Sequence, residues 1–434
     1  MSSLAFGTRA VWAGAVVSLG LVLAACGGGS TSGNATQAAT ANGPITIWYS
    51  NNAEEITWGK AAVDAWNKAH ADQQVSADQI PAGKSSEEVI GAGITAGTTP
   101  CLIFNTAPAA VPQFQKQVGL VSLSDFPDGV TAIEGRSGDR ASQYKSPDGK
   151  YYQMPWKTNP VMIFYNKDIF QKAGLNATDP PLKTYAEFLT TSAALVSKGG
   201  VTAAIWPSPT SEFYQPWFDF YPLFVAQTNG KLLVDKGQPQ FADADGLAVA
   251  NFWRQMYAQG LSPKEQATGD AFVSGQAGMA IAGPWAIAVY GAKLNWGVVP
   301  VPTREGMPAS SIHTFSDEKS IGMYSSCKNR GTAWEFLKFA TNQDNDGALL
   351  TISGQMPMRT NLQAAYPDYF SAHPTYTVFA DQASRSVEVP NVPNSVQMWQ
   401  TFRDAYSKSV ISGTQTVEEA FPAAADQIKK LVSQ

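Results

Sequence analysis

The sequence predicts an α/β protein with more than one hydrophobic core. From residue 45 onward, short β-rich segments alternate with segments of helical periodicity, which is typical of helices packed on a mainly parallel sheet. The chain has 434 residues, of which 44% are hydrophobic and 11% aromatic, so it can bury a large apolar surface. Roughly four hundred residues follow the N-terminal segment, which suits two lobes better than one core.

The first elements of this fold alternate along the chain. Segments 45–50 and 75–80 are β-rich, and apolar residues at helical spacing predict a helix over 55–70 between them. A helix over 87–96 and a buried strand over 102–105 follow. The order strand, helix, strand, helix, strand indicates a layered lobe.

The remaining two thirds of the chain continue the pattern without an internal repeat. Two capping boxes, at 184–187 and 416–419, mark the starts of helices. Strands are predicted over 161–165, 277–282 and 296–299, and helices over 243–259 and 333–341.

The N-terminal segment has the pattern of a lipoprotein signal peptide over 1–25. Arg9 is the only charge before Cys26, and an apolar run over 11–23 ends in Leu-Ala-Ala-Cys. We expect lipid attachment at Cys26, the alternative being an ordinary secretory signal with a chance cysteine. Residues 26–43 are rich in Gly, Ser and Thr and predict a flexible tether. A diacyl anchor would hold the protein on the outer face of the cell membrane.

Several function classes are disfavoured by composition and motifs. The net charge is −5 and no basic run occurs, so no nucleic-acid partner is expected. No later apolar stretch is long enough to predict a membrane span. The three histidines, His70, His313 and His373, lack ligand spacing, and neither a nucleophile motif nor a phosphate loop is present. No metal and no cofactor are therefore expected.

Paired carboxylates leave glycoside cleavage open as an alternative. Glu212 with Asp219, or Asp317 with Glu318, could supply such a pair. Carboxylates that are solvated or that bind a ligand are the favoured interpretation.

Twelve tryptophans are the positive signal. Flat aromatic rings cover the C–H faces of sugars, and polar side chains bond the hydroxyls, so a concave site with both would bind saccharides. Tryptophans within predicted strands and helices are assigned to the core: Trp48, Trp66, Trp253 and Trp334. Others lie beside prolines or near element ends, where a ring facing a cleft would be found: Trp156, Trp217, Trp285 and Trp399.

Five motifs occur in a fixed order along the chain. They are the segments 152–168, 272–285 (FVSGQAGMAIAGPW), 297–302 (GVVPVP), 328–340 and 389–403, the last with VPNVP, Trp399 and Arg403. In this order the chain resembles the extracellular solute-binding proteins of carbohydrate ABC transporters, the maltose-binding-protein-like family.

The resemblance implies a two-lobed periplasmic-binding-protein fold of type II, with hinge crossovers near 156–160, 301–306 and 355–358. Lobe 1 would comprise 44–157 and 306–355, and lobe 2 would comprise 158–305 and 356–434. Ligand would bind between the lobes.

The resemblance also carries site residues over by position. Trp285 and Trp399 fall on stacking tryptophans, Arg403 lies one helical turn after Trp399, and the hinge glutamate falls on Asn159. Polar contacts of lobe 1 fall on Asn52 and Asn105, where the side chains differ, so maltose itself is doubtful. Trp156, Trp217, Asp317 and Glu318 complete the expected ligand-binding set, although the two carboxylates could instead form a solvated turn.

Two cysteines remain after Cys26, and they could form one disulfide. The resemblance places the strand over 319–324 antiparallel to the strand that follows Cys101, which would bring Cys327 close. It predicts a Cys101–Cys327 disulfide, with free thiols as the alternative.

The implied function is that of a substrate-binding lipoprotein of an ABC sugar importer. It would capture a di- or oligosaccharide and deliver it to the permease subunits, as a monomer and without catalysis. The alternatives are a non-sugar solute such as a polyamine or a glycerophosphodiester, a surface glycoside hydrolase, and an adhesin or receptor partner.

Overall fold

The structure is a computed structural model that describes residues 40–50, 52–82 and 85–433. The predicted signal peptide, Cys26 and most of the tether lie outside these residues. The end of the predicted tether is hydrogen-bonded to the start of the helix Arg330–Ala340. The carbonyl of Ala41 accepts from the Gly331 amide (2.8 Å), and the Gly43 amide donates to Thr332 Oγ1 (3.0 Å). Within the described part, no helix has the length and apolarity needed to cross a membrane.

The strands, in chain order, are β1 (Ile45–Tyr49), β2 (Val75–Gln79), β3 (Leu102–Thr106), β4 (Met154–Thr158), β5 (Met162–Asn166), β6 (Ala203–Ile205), β7 (Val234–Asp235), β8 (Gln238–Pro239), β9 (Ala277–Ala282), β10 (Trp296–Val299), β11 (Thr314–Phe315), β12 (Lys319–Met323), β13 (Met356–Pro357) and β14 (Ser386–Val387).

The α-helices are α1 (Ala53–Ala69), α2 (Ser86–Ala96), α3 (Val111–Lys116), α4 (Gly129–Ser137), α5 (Lys167–Lys172), α6 (Tyr185–Ala194), α7 (Phe220–Gln227), α8 (Ala244–Ala258), α9 (Trp285–Tyr290), α10 (Arg330–Ala340), α11 (Gln343–Ser353), α12 (Leu362–Ala365), α13 (Pro367–Ala372), α14 (Pro374–Ala383), α15 (Ser395–Tyr406) and α16 (Val417–Val432). The predicted capping box opens α6, since Thr184 and Glu187 exchange hydrogen bonds with each other's backbone amides.

Two sheets organise the molecule. The first has the order β13-β4-β12-β3-β1-β2, and the second has the order β10-β5-β9-β6. Parallel pairing joins β1 to β2 and β3, and β6 to β9, whereas the other pairs in these sheets are antiparallel. The expectation of mainly parallel sheets was therefore wrong. β5 and β12, which enter their sheets directly from a crossover, run antiparallel to both of their neighbours.

Each sheet has its own hydrophobic core, and the chain crosses between them at β4–β5, at β10–β12 and after β13. The first two crossovers lie side by side, because the Val161 amide donates to the carbonyl of Phe315 (2.9 Å) and the Asp317 amide to that of Asn159 (3.0 Å). Ile312 and Phe315 pack in the core of the second sheet. The partly buried Met307 packs against the same core. The lobe boundaries themselves stay a prediction.

A disulfide links the start of β3 to the end of β12. Cys101 and Cys327 are bonded with Cα atoms 4.4 Å apart, across 226 residues of sequence. The Tyr324 amide donates to the carbonyl of Cys101 at 2.9 Å, so the bond reinforces a strand pair that is already in register. The predicted pair is confirmed.

Candidate ligand-binding cleft

A cavity of about 450 Å³ lies between the two lobes. This volume falls within the range of about 300–1,000 Å³ that is usual for small-molecule sites. Both lobes and a crossover contribute to its described lining. The cavity is therefore formed only while the two lobes face each other. The lining consists of Pro81, Ala82, Ser85, Ser86, Glu87 and Asn105 from the first lobe, Phe213, Tyr214, Trp217 and Phe218 from the second, and Asp317 and Lys319 from the crossover and β12.

The second lobe forms an aromatic wall, which we define as Phe213, Tyr214, Trp217 and Phe218. The Phe213 ring meets the Tyr214 ring edge-on at 5.4 Å and the Trp217 ring edge-on at 5.9 Å. Trp217 is only 4% exposed, and its Nε1–H has no hydrogen-bond partner among the described residues. The wall thus combines fixed apolar faces with one unused donor.

The opposite side is polar, and we call Asn105, Asp317 and Lys319 the polar floor. Asn105, the residue before the last of β3, has the left-handed backbone conformation (φ 65°), and its Oδ1 finds no partner in the described structure. The Lys319 ammonium donates to Asp317 Oδ1 at 2.6 Å. Burial acts to lower the pKa of Lys319, but the charge and hydrogen bond of Asp317 outweigh it, so the pKa is raised and the ammonium stays charged.

The predicted hinge residue Asn159 supports this floor without lining the cavity. Its side chain is buried, and its Nδ2 donates to the carbonyl of Asp317 at 2.9 Å. Together with the backbone bond between the same two residues, this contact fixes Asp317 at the crossover. Asn159 Oδ1 is left without a partner in the part of the chain that the structure describes.

Trp285 lies one layer behind the wall. It begins α9, is half-buried, and its ring meets Phe218 edge-on at 6.2 Å. A Cβ atom at position 283 would lie 2.0 Å from the Trp285 ring, so glycine there is what lets the ring fold back over the strand end. The structure places Trp285 near the cavity but not on its described lining.

Trp156, Trp399 and Arg403 are core residues in this structure, which corrects their expected place in the cleft. Trp156 is fully buried against Phe104 at 5.2 Å in the core of the first lobe. Trp399 is fully buried behind Trp217, with ring centroids 5.8 Å apart. Residues beside prolines or near element ends therefore do not all face the cleft. Trp156 and Trp399 are instead packed into the cores of the two lobes.

Arg403 is committed to an internal network. Its Nη1 lies 3.3 Å from Asp219 Oδ2 and its Nε donates to the carbonyl of Thr210 at 2.7 Å, with both charged side chains fully buried. Burial raises the pKa of Asp219 to about 6, and the Arg403 charge opposes that rise. This pair holds the segment that precedes the aromatic wall.

Glu318 and Asn52 also lie away from the cavity lining. Glu318 is buried and forms an ion pair with Arg140, so its carboxylate points into the hinge. Burial raises the pKa of Glu318 to about 7, opposed by Arg140. Asn52 is exposed and uses its side chain to cap α1 through the Glu55 amide (2.9 Å).

The carboxylate pairs considered for glycoside cleavage are not presented to the cavity together. Asp219 is bonded to Arg403, and Glu318 is bonded to Arg140. Asp317 does line the cavity, but it is paired with Lys319. Among the described residues, no cluster of His, Cys, Asp or Glu could hold a metal ion.

A second cavity, of about 870 Å³, is larger. Its described lining includes no aromatic ring. Each of its three guanidinium groups has a partner, although Arg140 Nε has none among the described residues: Arg140 bonds Glu318, Arg359 bonds Asp346, and Arg385 bonds the carbonyl of Ile312. We therefore take the interlobe cavity as the candidate site.

The interlobe cavity brings together three predicted residues, Asn105, Trp217 and Asp317. The sequence analysis did not identify Lys319 and Glu87, because their sequence context does not distinguish them from ordinary surface charges. It identified Trp217 but not Phe213 and Tyr214. Four aromatic residues within six positions, interrupted by a proline, were the available signal.

The family profile described as "Bacterial extracellular solute-binding protein" matches residues 61–378, most of the chain. The chain belongs to this family. It is accordingly a non-enzymatic, solute-binding component of an ABC transporter, and it acts outside the cell.

Individual relatives of this solute-binding protein are distant. The galactooligosaccharide-binding protein of Bacillus subtilis is 25% identical over 417 residues, 94% of each chain. A maltooligosaccharide ABC transporter solute-binding lipoprotein of Streptococcus pneumoniae is 24% identical over 300 residues, 66% of this chain and 67% of that one. The crystal structure of the cyclic alpha-maltosyl-1,6-maltose binding protein of Arthrobacter globiformis superposes with a TM-score of 0.74 at 21% identity, covering 90% of this chain and 99% of that one. The two-lobed periplasmic-binding-protein fold is confirmed.

Proposed function

We propose that this solute-binding protein is the sugar-binding lipoprotein of an ABC importer, which captures a di- or oligosaccharide in the interlobe cleft and delivers it to the membrane permease. The observation that carries the proposal is the pairing of an aromatic wall with a polar floor across one cavity. Relatives that bind galactooligosaccharides and maltooligosaccharides support the sugar class.

The chemistry of the two sides matches the two chemistries of a sugar ring. C–H faces of a pyranose pack on flat rings, which Trp217 and Phe218 offer. Hydroxyl groups both donate and accept, and the floor offers Asn105 Oδ1 as an acceptor and the Lys319 ammonium as a donor. Polar groups left unpaired in a cavity are expected to be satisfied by ligand or water.

Closure of the lobes would couple binding to transport. We assign 44–157 and 316–355 to lobe 1 and 158–315 and 356–434 to lobe 2, with the paired crossovers at 159–161 and 314–317 as the hinge. Sugar would first dock on the wall, and the first lobe would then bring Asn105 and Glu87 to it. The buried ligand stabilises the closed form, which the permease subunits would recognise. The lobes need no second copy for this, so we expect a monomer.

The anchor would keep the binder beside its permease. Cys26 follows an apolar run in a lipobox pattern, and the Gly- and Ser-rich residues after it provide a tether. Two acyl chains give firm membrane attachment, where one gives only weak attachment. Metabolic labelling with an alkyne fatty acid should mark the wild-type protein and not Cys26→Ser, and equal labelling of both would refute the anchor.

Calorimetric titration against mono-, di- and oligosaccharides tests the binding function. A dissociation constant near micromolar, about −8 kcal/mol, would allow both capture and release. Phe218→Ala should raise the dissociation constant about tenfold or more, because it removes a ring that lines the cavity. Phe218 is half-buried and is not one of the fully buried core residues. Tyr369→Ala, an equally half-buried ring that does not line the cavity, is the matched control. Absence of binding across the panel would reject the proposal.

A further inference from the structure

The polar floor contains one ion pair, Lys319–Asp317. We propose that this pair sets the charge class of the ligand, so that the cleft takes neutral saccharides through their hydroxyls and rejects saccharides that carry a carboxylate. The inference rests on the proposed sugar-binding function and deepens it. Lys319 was not among the residues that sequence reasoning identified, and Asp317 was expected to act as a carboxylate alone.

The pair is held in place before any ligand arrives. Asp317 is bonded through its backbone to Asn159 in both directions, amide to carbonyl at 3.0 Å and carbonyl to Nδ2 at 2.9 Å. Lys319 begins β12 in the middle of the first sheet, where it pairs with Lys157 of β4. A fixed pair of this kind loses little conformational freedom when it binds, which favours specific recognition.

The pair keeps unused bonding capacity toward the cavity. The Lys319 side chain is 18% exposed and the Asp317 side chain 15% exposed. An ammonium has three N–H donors and a carboxylate two oxygens, and their mutual bond uses one of each. A hydroxyl can accept from Lys319 while it donates to Asp317, so it bridges the pair without disrupting it.

The charges around the cavity disfavour a ligand carboxylate. The charged residues of the described lining are Lys319, Asp317 and Glu87, which sum to −1. A ligand carboxylate could reach Lys319 only by competing with Asp317 and by approaching two like charges in a partly desolvated site. A ligand ammonium would in turn meet Lys319, whose Nζ lies 6.0 Å from the Trp217 ring centroid and therefore close to the wall.

Calorimetric titration of the full mature chain with matched probes tests the inference. Galactobiose and digalacturonate differ in charge at similar size. Diacetylchitobiose and chitobiose are a neutral and a cationic disaccharide that differ by two N-acetyl groups. We expect the wild type to bind at least one neutral probe, and to bind its charged counterpart about tenfold more weakly or not at all. Asp317→Asn frees the ammonium of Lys319 and should shift the ratio of digalacturonate to galactobiose affinity about tenfold toward the anion.

A second variant keeps the test independent of the ion pair. Glu87→Gln removes a negative charge from the first turn of α2 and should shift the same ratio in the same direction by a smaller factor. Circular dichroism confirms that each variant is folded. Wild-type binding of charged and neutral probes with equal affinity, or an unchanged ratio in both variants, overturns the charge-class inference and leaves sugar binding intact. Absence of binding by every saccharide rejects both the inference and the proposed function.

Discussion

The aromatic wall and the polar floor of the cleft are built by opposite means. Behind the wall lies a continuous aromatic core, in which Trp217 packs on the fully buried Trp399 and Arg403 is neutralised by Asp219. The floor is assembled from a strand end, a crossover and the start of β12, and polar atoms such as Asn105 Oδ1 remain unpaired. Core packing therefore fixes the position of the wall, whereas the hinge segments fix the position of the floor. We therefore expect changes behind the wall to act on stability, and changes in the floor to act on ligand choice.

Removing the support of the wall should have the largest effect. Arg403→Leu leaves Asp219 buried without its cation, and we expect the free energy of unfolding to fall by about 3 kcal/mol or more. Urea denaturation followed by tryptophan fluorescence measures this. Arg403→Leu combined with Asp219→Asn should recover part of the loss, because the uncompensated charge is gone. A double variant as unstable as the single one would show that the wall does not depend on this pair.

The hinge behind the floor should give a smaller, pH-dependent effect. Glu318 and Glu388 are both buried there, with Arg140, Lys319 and Asp317 as the charged neighbours. Burial and the neighbouring carboxylate raise the pKa of Glu388 well above its ordinary value, and burial raises that of Glu318 to about 7. Stability contributed by groups with raised carboxyl pKa values is present below about pH 4.5 and is lost as the pH rises through the folded values.

Glu388→Gln mimics the protonated form and tests this sign. The variant should melt about 2 °C or more above the wild type at pH 8, and the difference should shrink toward zero at pH 4.5. Differential scanning calorimetry at the two pH values measures it. Glu212→Gln, at an exposed glutamate, is the control and should show no such trend. A gain that is larger at pH 4.5 than at pH 8 would contradict the assignment.

The smallest expected effect concerns the unpaired Nε1–H of Trp217, as distinct from its aromatic face. Trp217→Phe retains an aromatic face but removes the unpaired Nε1–H. If that donor bonds a ligand hydroxyl, affinity should fall by about 1 kcal/mol, or roughly fivefold. Calorimetry with the best saccharide of the panel provides the value. Unchanged affinity would show that the wall contributes its face alone.

Sequence reasoning predicted the overall fold better than the orientation of individual rings. Hydrophobic periodicity and the capping box at Thr184 report on one element at a time, so they predict helices and strands. Whether a ring such as Trp399 faces a cleft or a core depends on which distant element covers it, and no local pattern carries that information. A wall residue such as Trp217 and a core residue such as Trp156 each follow a proline directly and have nearly the same burial.

The floor was partly predictable for a related reason. Asn105 ends a recognisable strand, and the resemblance to solute-binding proteins placed it at the ligand. Lys319 becomes a candidate binding residue only in the folded structure. There its Nζ lies 2.6 Å from Asp317 Oδ1 and 6.0 Å from the centroid of the Trp217 ring. Pairings between segments that are separated in sequence, as Trp217 and Lys319 are, follow from the tertiary structure.

A crystal structure of the mature protein with the best-binding saccharide would show directly which cavity the ligand occupies. We predict a sugar ring against Phe218 and Trp217, with hydroxyls bonded to Asn105 and to the Lys319–Asp317 pair. A ligand seated instead in the larger cavity lined by Arg140, Arg359 and Arg385 would contradict this prediction.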